Sequence, residues 1–337
     1  MFCLCCRPPG GFFAEGVAEP VLDFARALKR RTAYERRTSW SRAPVTHPGQ
    51  AEFVIRDVGA VTMDLHLGNP ARTDLHVRDG AIVNIGRGLP ATSAIEIDGA
   101  GLTALPGLVA GHRHPLSEML GVADPHGASL ARAEPEDVYR ALRLALLDLT
   151  SVGFTSLHVC GADLGAGHAE TTVLAQIDSG MRGRFSYPVE ETASDPKRAV
   201  RELHETWFTE PTEHLLDLGL TGGGPNLAQL LAPHRLPLAE ADVSDAAGTL
   251  SERTIGAARK LGLDDSIGSL SPGKRADVIL VRGDPTRGFA PEDVELVAID
   301  GRIRKRNGVL TEPNEGLIRR EGADATARLR ELAKAHH

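Results

Sequence analysis

The chain has 337 residues, of which 42% are apolar and 25% charged, with a formal net charge of −7. Such a composition belongs to a folded protein with a sizeable core and room for two domains, not to a disordered chain. The negative balance gives no general attraction to nucleic acid or to an anionic membrane, so a small-molecule substrate is the expected partner. No run reaches the ~18 apolar residues needed for a membrane-spanning helix. Met1 to Phe13 lacks the basic start and sustained apolar core of a secretory signal, and Arg36-Arg37 is not followed by an apolar stretch, so export is not expected. Cys3, Cys5 and Cys6 crowd the amino terminus and Cys160 stands alone in an apolar run. No disulfide framework follows, which fits the reducing cytoplasm. The amino-terminal trio has no second Cys/His group at zinc-finger spacing and is given no role.

In chain order, residues 20 to 37 fit a short basic helix, with Pro20 near its start and Val21, Phe24, Ala25 and Leu28 on one face. Lys29, Arg30, Arg31, Arg36 and Arg37 make a solvated face, and a third functional reading would have this helix bind an anionic partner. Pro44 and Pro48-Gly49 mark a linker, so residues 1–50 form an extension. Short strands follow at Phe53 to Ile55, Val58 to Met63, Leu75 to Val77, Ala81 to Ile85 and Ala94 to Ile97, with Asp79-Gly80 as a hairpin turn. A second set lies at Asp277 to Val281, Val294 to Ile299 and Arg302 to Lys305, with turn pairs Asp300-Gly301 and Asn307-Gly308. Neither set is large enough to close a core alone. The economical arrangement is one discontinuous β-sandwich of residues 51–105 and 270–311, followed by a helical tail over 312–337.

Between these sets, residues 106–269 alternate helix and strand, the pattern of parallel α/β units. Pro135 opens a helix with Glu134, Glu136 and Asp137 at its positive end and Val138, Leu142, Ala145, Leu146 and Leu149 on one face. Gly153 stops it. Phe154 to Cys160 is a buried strand, Thr171 to Asp178 a helix ended by Gly180, and Arg184 to Tyr187 a further strand, with Leu215 to Leu220 a candidate for another.

The candidate chemistry sits in Leu105-Pro-Gly-Leu-Val-Ala-Gly-His-Arg-His114. His112 and His114 stand at i and i+2 after an apolar run, so on a strand both face one way and can share a metal ion. Taken alone, this spacing equally describes a pair of surface histidines near a turn. Other polar residues carry less. His158 lies on a strand as a core or rim histidine. His204-Glu205 lacks the second histidine of a zinc helix and belongs to a solvent-facing helix segment. His234 and Asp245 are late ligand candidates by order along the chain alone, and Gly222-Gly-Gly224 is a flexible turn, not a phosphate loop.

These residues have company. The strands before Leu105-Pro-Gly-Leu-Val109, the His-x-His, Thr155-Ser-Leu-His158, Asp178 to Tyr187, and above all Ile267-Gly-Ser-Leu-Ser-Pro-Gly-Lys-Arg-Ala-Asp-Val-Ile-Leu-Val281 resemble the metal-dependent amidohydrolase superfamily, in its deaminase-like branch. The resemblance implies an α/β fold: a TIM-like (β/α) barrel with a small β-sandwich built from both chain ends. It also implies a divalent ion, zinc first with iron or manganese as alternatives, held by His112 and His114. In the family this ion activates water for attack on a carbon–nitrogen bond, other than a peptide bond, of a small cyclic amide or amino-heterocycle. This chain departs from the pattern in length. Gly107 to Gly268 is 162 residues counted inclusively, where such a barrel takes ~200 or more. The middle and late barrel strands, which carry the family's other ligands and proton shuttle, have no counterpart that can be placed. The alternative is therefore a truncated, catalytically inactive relative whose open strand edges invite homo-oligomerisation.

Overall fold

The computed structural model describes residues 52–90, 92–121, 130–161, 164–189, 196–208, 215–221 and 248–334. The proposed basic helix of the extension, the amino-terminal cysteines, His234, Asp245 and Gly222 to Gly224 lie outside them.

Two sheets organise these residues. The first draws strands from both ends of the chain: β1 (Phe53–Ala60), β2 (Thr73–Arg78), β3 (Ala81–Gly86), β4 (Ile95–Asp98) and β5 (Leu102–Pro106) from one, and β10 (Val278–Arg282), β11 (Val294–Ile299), β12 (Arg302–Arg306) and β13 (Val309–Leu310) from the other. They form one hydrogen-bonded path, β13-β12-β11-β10-β5-β1-β2-β3, with β4 added to β1. The joint is made by β5, which runs antiparallel to β10 and parallel to the far end of β1. A bulge between Ile55 and Val58, with Asp57 at φ 54°, interrupts the pairing with β2, and on its other edge β1 serves β4 with its first half and β5 with its second. Phe53, Ile55, Val58, Leu75, Val77, Ile82, Val278, Leu280 and Leu296 fill one apolar core. The turn pairs Asp79-Gly80, Asp300-Gly301 and Asn307-Gly308 all have positive φ at both residues, as tight hairpins need. The strand expected over Val58 to Met63 stops at Ala60. The Thr62 N–H donates to Asn69 Oδ1 and the Thr62 hydroxyl to the Gly68 carbonyl, which fold the following residues into a turn.

The second sheet is parallel and in chain order: β6 (Leu108–Arg113), β7 (Phe154–Cys160), β8 (Arg182–Pro188) and β9 (Leu216–Thr221). Its helices are α1 (Pro115–Leu120), α2 (Pro135–Ser151), α3 (Ala169–Ser179) and α4 (Pro196–Trp207). Among the described residues this sheet has four strands and does not close into a barrel. The apolar run expected to be one strand into the histidines is divided at Gly107: β5 ends in the first sheet, β6 begins in the second, and the Gly107 N–H donates to the Asp277 carbonyl between them at 2.9 Å. Leu108, Ala110, Leu157, Val159, Phe185 and Leu218 face a core shared with Val138, Leu142 and Leu146 of α2. On β6 the place beside Val109 is taken by a π-helical turn, Glu252–Gly256, and α5 (Ala257–Lys260), through Ala257, Ala258, Leu261 and Ile267. The carboxyl-terminal helix α6 (Glu315–Lys334) is packed onto the second sheet's helices, not left as a free tail. Ala325 and Leu329 enter the α2 core, and Arg328 pairs with Asp137 at 2.6 Å.

Candidate functional site

In parallel α/β folds, functional groups gather at the carboxyl ends of the strands. His112 is on β6, and His114 is the residue between β6 and α1. Strict alternation does not hold along this strand. The β6–β7 register carries one extra residue on β6 between Ala110 and Arg113, and Arg113 comes to lie opposite Val159. Since Val159 is on the helix-facing side, the next position, His114, falls on the other side of the sheet, the side of Ser156 and His158. The backbone of His114 is held twice by Glu118: its carbonyl accepts the Glu118 N–H at 2.9 Å and its own N–H donates to Glu118 Oε1 at 3.1 Å. Glu118 is also ion-paired to Arg113, and Pro115 sets the first turn of α1. His114 itself is half-buried.

Next along the sheet is a buried polar strip. His158 is buried, with Nε2 at 2.7 Å from the Ser186 hydroxyl across the β7–β8 pair, consistent with the rim or core role expected for it. Arg184 lies opposite His158 in the register and is nine-tenths buried. Burial pushes its guanidinium below the usual arginine range, and the nearby Asp217 carboxylate on β9 acts in the opposite sense. Branched apolar side chains normally fill the inside of such a sheet. Ser156, His158, Arg184 and Ser186 instead make this face of the described sheet polar.

Sequence reasoning missed two further residues at this end. His168 and Glu170 follow β7, at the start of α3, and both are buried, at 1% and 5% exposure. His-Ala-Glu matches no ligand spacing, so only its place on the loop after a strand could have singled it out. His204 is half-buried and stacks on Phe208, while Glu205 is exposed, as expected for a surface helix. Among the described residues no three His, Cys, Asp or Glu side chains come together as a metal-binding group. The described donor set is therefore smaller than the three protein ligands of a catalytic zinc site. No helix among the described residues is long and apolar enough to cross a membrane.

At the opposite, amino-terminal end of the parallel strands lies a buried ion cluster that sequence patterns did not announce. Arg182, the first residue of β8, reaches Asp277 at 2.8 Å and Asp300 at 2.8 Å, and Arg275 also pairs with Asp300. Although burial alone would lower it, the Arg182 guanidinium is held above its usual range by the Asp277 and Asp300 carboxylates. Polar residues at this end of a parallel sheet serve stability, not chemistry.

No family model matches the chain. Among curated proteins, it is 29% identical over 161 residues to a 5′-deoxyadenosine deaminase of Methanosarcina mazei, a match covering 44% of this chain and 35% of that protein. It is 39% identical over 93 residues to a 5-methylthioadenosine/S-adenosylhomocysteine deaminase of Desulforudis audaxviator, covering 23% and 21%. The matched part spans about a third of the length of the Methanosarcina relative. Among solved structures, the fold is similar to that of the atrazine chlorohydrolase TrzN from Arthrobacter aurescens complexed with zinc, with TM-score 0.65, 16% identity, and 81% of this chain and 100% of that chain covered. It is also similar to a zinc-bound adenosine deaminase from Xanthomonas campestris, with TM-score 0.63, 15% identity, and 84% and 100% covered. The resemblance to the deaminase-like branch of the amidohydrolases thus appears in both comparisons: the sequence relatives are deaminases, and the structural neighbours are a deaminase and hydrolases.

Proposed function

We propose that this chain is a metal-dependent hydrolase of carbon–nitrogen bonds other than peptide bonds, acting on a small amino-heterocycle or cyclic amide of the adenosine or triazine kind. The observation that carries this reading is the position of the histidine pair. His112 and His114 stand at the carboxyl end of the first parallel strand, at its joint with a helix, in a fold similar to those of zinc-bound hydrolases. We propose these two as ligands of a divalent ion, zinc before iron or manganese. The remaining donors would come from later in the chain. On this reading, residues 106–269 are a shortened (β/α) barrel and residues 51–105 with 270–311 a discontinuous β-sandwich. The extension over 1–50 and the tail over 312–337 flank them.

One observation favours the competing reading of a catalytically inactive relative: among the described residues the parallel sheet stops at four strands, without a third metal donor. The two readings differ in an ammonia-release assay on the zinc-loaded full chain, with 5′-deoxyadenosine, 5-methylthioadenosine and S-adenosylhomocysteine as substrates. We expect turnover of at least one of them and a loss of about 100-fold or more in His114→Ala. A zinc-loaded protein that releases no ammonia from any of the three would instead support the inactive reading.

A further inference from the structure

Beyond this reading, a small cavity lies where the carboxyl ends of α2 and α3 meet β12, β13 and the start of α6. By the alternation of strand and helix, this is the end of the parallel sheet away from His114. Arg143, Thr150, Ser179, Arg304, Leu310 and Glu312 contribute to its wall. It has about 20 Å³ of space for the centre of a water-sized group. That exceeds the ~10–15 Å³ one water needs, yet it is far too little to enclose a heterocycle. A single tetrahedral oxyanion group fits this size.

The charges facing it are unbalanced. The Arg304 guanidinium makes no hydrogen bond or ion pair among the described residues, and its Nε is buried without an acceptor. Arg302, two residues earlier on β12, likewise has a buried Nε without an acceptor. Among the described residues Arg143 has only Glu312 as an ion-pair partner, with Nη2 to Oε2 at a loose 3.9 Å. Burial pushes Arg304 below the usual arginine range, and the positive charges of Arg302 and Arg143 add to this, with Glu312 as the opposing carboxylate. Among the described residues, two guanidinium groups of the wall thus answer to one carboxylate, with the charge of Arg302 acting on Arg304 from outside the wall. Buried donors of this kind ordinarily have acceptors.

Capping of the two helix ends does not account for them. In the last turns of α2, the Leu146, Asp148 and Thr150 carbonyls accept from the Thr150 hydroxyl, the Ser151 hydroxyl and the Gly153 N–H, and the Ser151 carbonyl accepts from Lys305 Nζ. At the end of α3, the Gln176 and Ile177 carbonyls accept from the Ser179 hydroxyl and the Gly180 N–H. The arginines serve none of these. Gly180 lets the guanidinium in, for a Cβ there would stand 1.6 Å from Arg304 Nη2.

We infer that this cavity binds a phosphate group, free or as the end of a small phosphomonoester, between the guanidinium forks of Arg143 and Arg304. Two planar forks from different elements suit a tetrahedral anion, which offers each a pair of oxygens. A bound phosphate would tie α6 and the β12–β13 hairpin to α2 and α3. Glu312 would oppose the anion and limit its affinity.

The test is calorimetric titration of the full chain with inorganic phosphate, and in parallel with glycerol 3-phosphate, in buffer matched for chloride. Saturable binding is expected, weakened about 10-fold or more in Arg304→Met and strengthened roughly 3-fold in Glu312→Gln. Tighter binding of the ester than of free phosphate would identify a phosphomonoester as the ligand, and the reverse would identify inorganic phosphate. If Arg304→Met fails to fold, the gain in Glu312→Gln still decides. No saturable binding above chloride, meaning that water alone fills the cavity, would overturn the proposal. So would undiminished binding in Arg304→Met or weaker binding in Glu312→Gln.

Discussion

Replacing Asp277 by alanine is expected to destabilise the folded chain by about 3–5 kcal/mol, the cost of leaving a buried charge without its partner. Asp277 is 4% exposed and serves three elements at once. It accepts from Arg182 Nε at 2.8 Å and Nη2 at 3.2 Å, from the Asp300 N–H at 2.8 Å, and from the Ser156 hydroxyl at 3.5 Å. Without it, Arg182 keeps only Asp300 among the described residues, and the turn that carries Asp300 loses its anchor to the start of β10. The urea midpoint reports the effect, and Asp277→Asn, which keeps a hydrogen-bond acceptor, should lose less. A loss below about 1 kcal/mol would mean that the cluster contributes little beyond its desolvation cost.

Acid should weaken the same joint. Burial by itself pushes the Asp300 carboxyl up, but the hydrogen bond from Arg275 and the charges of Arg182 and Arg275 outweigh it, so the group titrates below the usual carboxylate range. A carboxyl depressed in the folded state adds stability that is fully present above its unfolded value, near ~4, and is lost as pH falls through the folded value. The urea midpoint should therefore drop as pH is lowered below about 4, and the drop should be shallower in Arg275→Met.

Gly183→Ala is the second substitution with a large expected effect, about 3 kcal/mol or more. Gly183 pairs with Leu157 in the β7–β8 register, and a Cβ there would stand 1.9 Å from the Leu157 carbonyl oxygen and 2.8 Å from its carbon. The obstacle is backbone and cannot turn aside as a side chain would. The strands would have to separate at the centre of the parallel sheet, next to Arg182 on one side and Arg184 on the other. Thermal unfolding should show a lower midpoint. An unchanged midpoint would show that β7 and β8 can part without cost.

What was legible in the sequence was governed by chemistry over a few residues. Pro135 with its acidic first turn placed the start of α2, Phe154 to Cys160 and Val294 to Ile299 coincide with β7 and β11, and the three Asx-Gly pairs form turns of positive φ. What stayed hidden depends on distant partners. Arg182 joins Asp277 and Asp300 across 95 and 118 residues, and in sequence the two aspartates mark only the edge of a strand and a turn. The division of the Leu105–His114 run at Gly107 depends on β10 pairing with β5, which no local pattern announces. The extra residue on β6 before Arg113 changes which side His114 occupies, and strict alternation along the sequence could not show it. The burial of His168 and Glu170 likewise comes from packing after β7 and not from their spacing.

Elemental analysis of the purified full chain, set beside the His112→Ala/His114→Ala double variant, bears most directly on whether the histidine pair still holds an ion. About one divalent ion per chain is expected in the unmodified protein and close to none in the double variant. Unmodified protein with no metal above trace level, or a double variant with undiminished metal, would contradict this expectation.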